Sequence, residues 1–311
     1  MPDNNAFHAG EIAVQVRAGE RAIGERRGSM INDRLTDNMR AFLQLGDSAA
    51  AGAVGEDGAV WASLWCGAPG FLSADATGER VTLLAALDHP VVADPVRQAV
   101  RVDAPLGVVV IDFMTRKRLR INGIVRRLDG AGLELGVRET FGNCIKYIQR
   151  RQRTNGVPGT EHIDAAVASL ASGRALDDER RSFIARTDTA FVASLHPERG
   201  IDVSHRGGQT GFIRLAGERE LRIPDYPGNS MFQTLGNLDV DARAGLALID
   251  FERGRVLSLT GHAISAFGSD DLQHPTGGTG RYWSFTIDRW VEIPLPSMMT
   301  WTLLDRSPHN P

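Results

Sequence analysis

Residues 102–113 read VDAPLGVVVIDF and residues 240–251 read VDARAGLALIDF, with seven of twelve positions identical. At the same offset Gly123, in INGIV, meets Gly261, in LTGHA. Upstream, at an offset three residues larger, Phe42 meets Phe183, Asp47 meets Asp188 and Ser63 meets Ser204. Gly67 then meets Gly208, and Gly70-Phe71 meets Gly211-Phe212. An ordered series of matches with one small gap is the mark of an internal duplication. Each copy of the repeated segment is a short apolar run bounded by turn residues, which reads as a buried strand.

Outward from these segments the pattern is short strands broken by glycine: AVWASLW, RVTLLAAL and GLELGVRET in the first copy, GFIRL and VLSLTGHA in the second. Helical spacing appears at GEIAVQVRAGERAIG (10–24), LTDNMRAFLQL (35–45), HIDAAVASLASG (162–173) and LDDERRSFIART (176–187). Asp177 or Asp178 is placed to cap the last of these. The segment KYIQRRQRTNGVPGTEH (146–162) reads as a helix end followed by a linker at 156–162. The expected organisation is therefore helices plus a first β unit over 1–155, and helices plus a second over 163–311.

The chain has 311 residues, is 42% hydrophobic and carries a net charge of −3. That balance predicts no general attraction to nucleic acid or an anionic membrane. No apolar run approaches the length of a membrane helix. The N-terminus has no secretory pattern. Two isolated cysteines, Cys66 and Cys144, suit a reducing, cytoplasmic setting. His196, His205 and His262 are scattered with no metal-binding spacing.

The run through GFIRL, IPDYPGNSMFQTLGNL, GLALIDF and VLSLTGHA resembles the FMN-binding split barrels of the pyridoxamine 5′-phosphate oxidase-like family. VWASLWCGAPGF, TRKRLRING and FGNCIKYIQRR are similar to the first half of a tandem group of those proteins. The resemblance implies a mainly β (α+β) fold: two tandem split β-barrels with flanking helices, arranged as an intrachain pseudo-dimer. It implies FMN in a cleft between the halves. One working site, in the second copy, is expected. The implied function is an FMN-dependent oxidoreductase, passing hydride through flavin N5 to or from a small molecule, with a nicotinamide donor as one option. The alternative is a non-catalytic flavin- or ligand-binding protein, and a further homodimer is open in either case.

The stretch DVSHRGGQTGF (202–212) is where the chemistry concentrates. On a strand, Ser204 and His205 point to opposite faces, so they make a poor nucleophilic dyad, whereas Ser204 and Arg206 share a face. A hydroxyl, a guanidinium and then Gly207-Gly208 suit an anion such as a flavin phosphate, though a plain turn remains an alternative. His205 and Gly207 belong to the same candidate set. In IPDYPGNSMFQTLGNL, Asn229, Thr234, Leu235 and Asn237 are candidates at the start of a short helix, whose N-terminus favours phosphate. Arg116, Arg118 and Arg120 alternate and are expected to share one strand face, either as a solvated surface or as an anion site. Lys146 and Tyr147, with Arg150, are expected near a helix start. Cys144 is either a reactive thiol or an inert one. Trp61 and Trp65 are expected in the core or an interface, and the GGTG run (277–280) in a hairpin loop. No catalytic residue is assigned.

Overall fold

A computed structural model of the chain describes residues 6–84, 94–130, 132–155, 171–295 and 299–311. The first set of strands is β1 (Ser48–Val54), β2 (Val60–Cys66), β3 (Leu72–Ala74), β4 (Arg80–Leu83), β5 (Pro105–Asp112), β6 (Lys117–Asp129) and β7 (Gly132–Gly142). They pair in the order β2-β1-β5-β6-β7-β4-β3. After β8 (Arg150–Asn155) and β9 (Ser172–Gly173) comes the second set: β10 (Thr189–His196), β11 (Gly200–Gly207), β12 (Arg214–Leu215), β13 (Glu220–Pro224), β14 (Arg243–Asp250), β15 (Arg255–Ala266) and β16 (Tyr282–Pro294). Their order, β11-β10-β14-β15-β16-β13-β12, repeats the first strand for strand. The fold is a tandem pair of antiparallel split barrels. β9 pairs with β16, and β17 (Met299–Asp305) pairs with β8 in a separate ribbon.

The duplicated segment forms β5 and β14, and its continuous apolar run has a simple cause: both faces are buried. Leu106, Val108 and Val110 point into the first barrel, and Ala244, Leu246 and Leu248 into the second. The alternate residues Val109, Ile111, Ala247 and Ile249 join Phe191 and Val203 in a third cluster between the barrels. That cluster makes the chain a pseudo-dimer of its own halves. The glycine repeated in both copies serves the seam: a Cβ on Gly107 would stand 2.6 Å from the Ile201 carbonyl, and one on Gly245 2.7 Å from Trp61 Cα. Backbones meet there only because no side chain intervenes. Trp61 and Trp65 are buried in the first barrel's core.

The helices are α1 (Ala9–Arg17), α2 (Arg21–Gly28), α3 (Asp37–Leu45), α4 (Pro95–Ala99), α5 (Asp178–Arg186) and α6 (Gln233–Val240). The single helix expected over 10–24 is two helices, because Gly19 turns the chain at φ +70°. Asp177 caps α5 through the Arg180 N–H. The helix start expected near 146–150 is corrected: residues from Arg150 form β8, paired to β17, and Lys146 and Tyr147 lie in the preceding loop. The linker at 156–162 and most of the helix expected over 162–173 fall outside the described residues. Among the described residues no helix is long and apolar enough to cross a membrane. The GGTG run lies between β15 and β16.

Candidate functional site

A cavity opens on the seam where β6 of the first barrel faces β11 of the second. Its walls are Arg118 and Arg120, the 143–147 loop, Ser204 to Gly207, the 224–230 turn, and the start of α6 at Phe232 to Leu235. Both halves contribute, as β6 and β11 come from opposite copies.

Arg120 is 4% exposed and sits at the centre. Its guanidinium donates to Ser204 Oγ and Gln233 Oε1, lies 3.4 Å from Asp202 and packs over the Phe141 ring at 5.1 Å. Thr234 Oγ1 also reaches Ser204 Oγ, at 3.0 Å. Arg118 donates to His205 Nδ1 at 2.7 Å and has no carboxylate partner among the described residues. Burial pushes its pKa down to about 10, with Arg120 and Arg206 adding repulsion. It remains cationic at neutral pH. His205 is held well below the ordinary imidazole value by burial and then by Arg118 and Arg206, so it is neutral. Because Nδ1 accepts from Arg118, Nε2 carries the proton, and that buried N–H has no partner. Arg206 donates to Asp225 at 2.7 Å, and Asp225 also accepts from Arg281 at 3.0 Å. Lys146 forms no ion pair among the described residues. Arg120 is thus matched to Asp202, and Arg206 and Arg281 share Asp225, while Arg118 and Lys146 have no counter-ion among the described residues.

The first copy shows what the equivalent place was built to hold. Asp94, the N-cap of α4, accepts from Ser63 Oγ at 2.7 Å and Trp65 Nε1 at 2.9 Å. Its other oxygen takes the N–H groups of Val96 and Arg97, at 2.8 and 3.3 Å. A carboxylate therefore sits between a strand serine and a helix N-terminus. In the second copy Ser204 stands at Ser63, 141 residues on, and Phe232, the N-cap of α6, stands at Asp94, the N-cap of α4, at the later offset of 138. Phe232 takes a left-handed conformation (φ 59°), and no side chain caps α6. The serine and helix end remain, and the internal anion is gone. Arg120 faces this place, where the first copy's counterpart is Ser258, turned to the Ala62 carbonyl.

No family model matches the chain, and no curated protein does. Among solved structures the chain is similar to HupZ of Group A Streptococcus, at 14% identity and TM-score 0.31. It is also similar to a Clostridium acetobutylicum protein of the pyridoxinephosphate oxidase family related to general stress protein 26, at 12% and 0.29. A third is an FAD-binding protein of Mesorhizobium loti, at 8% and 0.27. Each match takes in 40% of this chain and 98%, 92% and 96% of the respective solved chain. At these identities and TM-scores the likeness carries no functional argument.

Of the residues picked from sequence, Ser204, His205, Arg206, Gly207, Asn229, Thr234, Leu235, Arg118, Arg120, Lys146 and Tyr147 all line the one cavity. Two do not. Arg116 is in the hairpin turn before β6 at φ 56°, and its guanidinium turns to the Ile148 carbonyl and Asp305. Asn237, fully buried, donates to Asp202 at 2.7 Å and accepts at Oδ1 from His8 Nε2 at 2.9 Å. It positions the carboxylate behind Arg120 and does not reach the cavity. The expected partnership of Ser204 with Arg206 is also different: Ser204 is engaged by Arg120 across the seam, and Arg206 by Asp225. Gly207 is needed for the Tyr147 carbonyl, which would lie 2.0 Å from a Cβ. Asp202, Gln233, Asp225 and Tyr226 were not picked out. For Asp202 a signal existed, since it alternates with Ser204 and Arg206 on one strand face.

Proposed function

We propose that the protein binds FMN in the seam cavity and acts as a flavin-dependent oxidoreductase on a small molecule. The observation that carries this reading is the Asp94 carboxylate of the first copy: the same serine-and-helix arrangement, vacated in the second copy and faced by Arg120, suits an external phosphate. The buried Nε2–H of His205 and the unmatched charge of Arg118 fit an anionic, hydrogen-bonding ligand. Ser204, Thr234, the first N–H groups of α6 and Arg120 would hold the phosphate. Arg118 and Lys146 would balance its charge, and the Tyr147–Tyr226 pair, with ring centroids 4.9 Å apart, offers an aromatic wall. FMN, when bound, supplies the hydride chemistry itself. The chain's part is to bind, orient and shield it.

A second reading is a ligand-binding protein without catalysis. One observation favours it: of the titratable groups that line the cavity, the imidazole and both phenols keep one charge state around neutral pH. His205 is held neutral, Asp225 is clamped between two guanidiniums, and burial pushes Tyr147 and Tyr226 up to about 12.

Titration of the purified protein with FMN, read by quenching of flavin fluorescence, tests the site. Saturable one-to-one binding is expected. No binding overturns the cofactor reading. Anaerobic bleaching of the bound flavin by a nicotinamide donor, with recovery in air, separates the oxidoreductase from the passive binder.

A further inference from the structure

β12 and β13 form the outer hairpin of the second barrel, and their register sets Arg214 directly opposite Arg222. The flanking residues Ile213, Leu221 and Ile223 point inward to the core, so both arginines are on the outer face and exposed. Like charges directly opposite on a sheet are destabilising. Neither has a carboxylate partner among the described residues. Arg222 lies over the Tyr282 ring at 4.0 Å, which fixes one guanidinium in place. The two arginines line a depression with Tyr282, Pro224, Phe212 and Tyr226. Pro224, Phe212 and Tyr226 also line the seam cavity, so the depression and the cavity share a wall. Asp271, on the neighbouring loop, is turned to the N–H groups of Thr276 and Gly278.

We propose that this face is a second anion site, taking a diphosphate-bearing molecule such as a dinucleotide next to the occupant of the seam cavity. Two guanidiniums held one strand apart match two adjacent phosphates, each able to accept charge-assisted hydrogen bonds. The aromatic wall leading to Tyr226 suits a planar ring attached to that diphosphate. Which molecule lies next door rests on the FMN reading; the arginine pair itself does not.

The test is calorimetric titration with inorganic pyrophosphate and with NADP⁺, on protein whose flavin content is first read by absorbance. Arg214→Ala/Arg222→Ala is compared with wild type. Both side chains are on the outer face and their charges oppose each other, so the melting temperature should not fall, and Arg214→Lys/Arg222→Lys provides a variant that keeps the charge. The expected result is at least a tenfold rise in Kd for both probes in the alanine variant, partial recovery in the lysine variant, and the same flavin content throughout. Equal affinities in wild type and the alanine variant, or no binding of either probe to wild type, overturn the proposal. A wild type that takes up no FMN but still shows arginine-dependent pyrophosphate binding removes the cofactor reading and supports this one.

Discussion

Glu20, in the turn between α1 and α2, accepts from Ser230 Oγ at 2.5 Å and from Arg281 at 2.9 Å. Arg281 in turn holds Asp225, and Asp225 holds Arg206. A parallel line runs from His8 through Asn237 and Asp202 to Arg120. The N-terminal helices, which precede the first barrel in sequence, thus brace the second barrel's side of the cavity. Gln15 adds a bond to the Met231 carbonyl at 3.1 Å, and α1 packs on α6.

Substituting Glu20→Gln is therefore expected to loosen the cavity more than the fold. Hydrogen bonds to charged groups contribute about 1.5–3 kcal/mol, and partial exposure of Glu20 puts its share at the low end. Ligand affinity should fall severalfold while the unfolding midpoint moves little. FMN titration alongside urea denaturation measures both, and an unchanged Kd would show that the bracing is inert.

Stability should fall as pH rises from 7 to 9. Burial, reinforced by Asp202, pushes the Glu11 carboxyl up to about 9, so the folded chain keeps a proton there that the unfolded chain has lost. Binding more protons when folded means that stability drops with rising pH, by up to about 1.4 kcal/mol per unit within the window. His8 works in the opposite sense: burial lowers it to about 4, so its contribution is lost as pH falls from 6.5 toward 4. Above pH 7 His8 no longer contributes, and Cys66, whose thiol is also raised by burial, adds to the fall only as the pH nears 9. Glu11→Gln keeps an acceptor for the His8 N–H and should flatten the profile between pH 7 and 9. Urea midpoints across that range decide it; parallel profiles for variant and wild type would refute the assignment.

Asp94→Ala should destabilise the first barrel by about 1–3 kcal/mol. It strips the acceptor from the buried Ser63 hydroxyl and Trp65 N–H and uncaps α4. Asp94→Asn, which retains an acceptor, should cost less. Chemical denaturation of the pair checks the order.

The duplication was legible because its signals are local: period-two strands, glycines at close approaches, and apolar runs where both faces are buried. What sequence missed depends on partners far along the chain. RRQRTN has no apolar alternation, yet Arg151 is buried by its pair with Asp188 at 2.7 Å and its place over Phe251, so the segment is a strand. Arg116 breaks the alternation of Arg118 and Arg120 because the hairpin turn intervenes one residue before the strand. The break at Gly19 was hidden because apolar residues stand on both sides of it, Ile12, Val14 and Val16 before and Ala22 and Ile23 after. Arg120 was legible as a candidate, but its bond to Ser204, 84 residues away, was not.

The two cysteines should differ sharply toward an alkylating agent in the native protein. Cys66 lies buried in the seam cluster, and burial pushes its thiol up to about 12. The thiolate is the reactive form, so Cys66 should resist modification. Cys144 is partly exposed and lines the cavity, in the loop that also carries Lys146. Iodoacetamide should label Cys144 alone, and bound FMN should slow that labelling in proportion to its occupancy. Mass spectrometry of tryptic peptides, with and without added FMN, reads both effects. Labelling of Cys144 at the same rate in saturating FMN would place the flavin elsewhere, even if the titration shows that it binds.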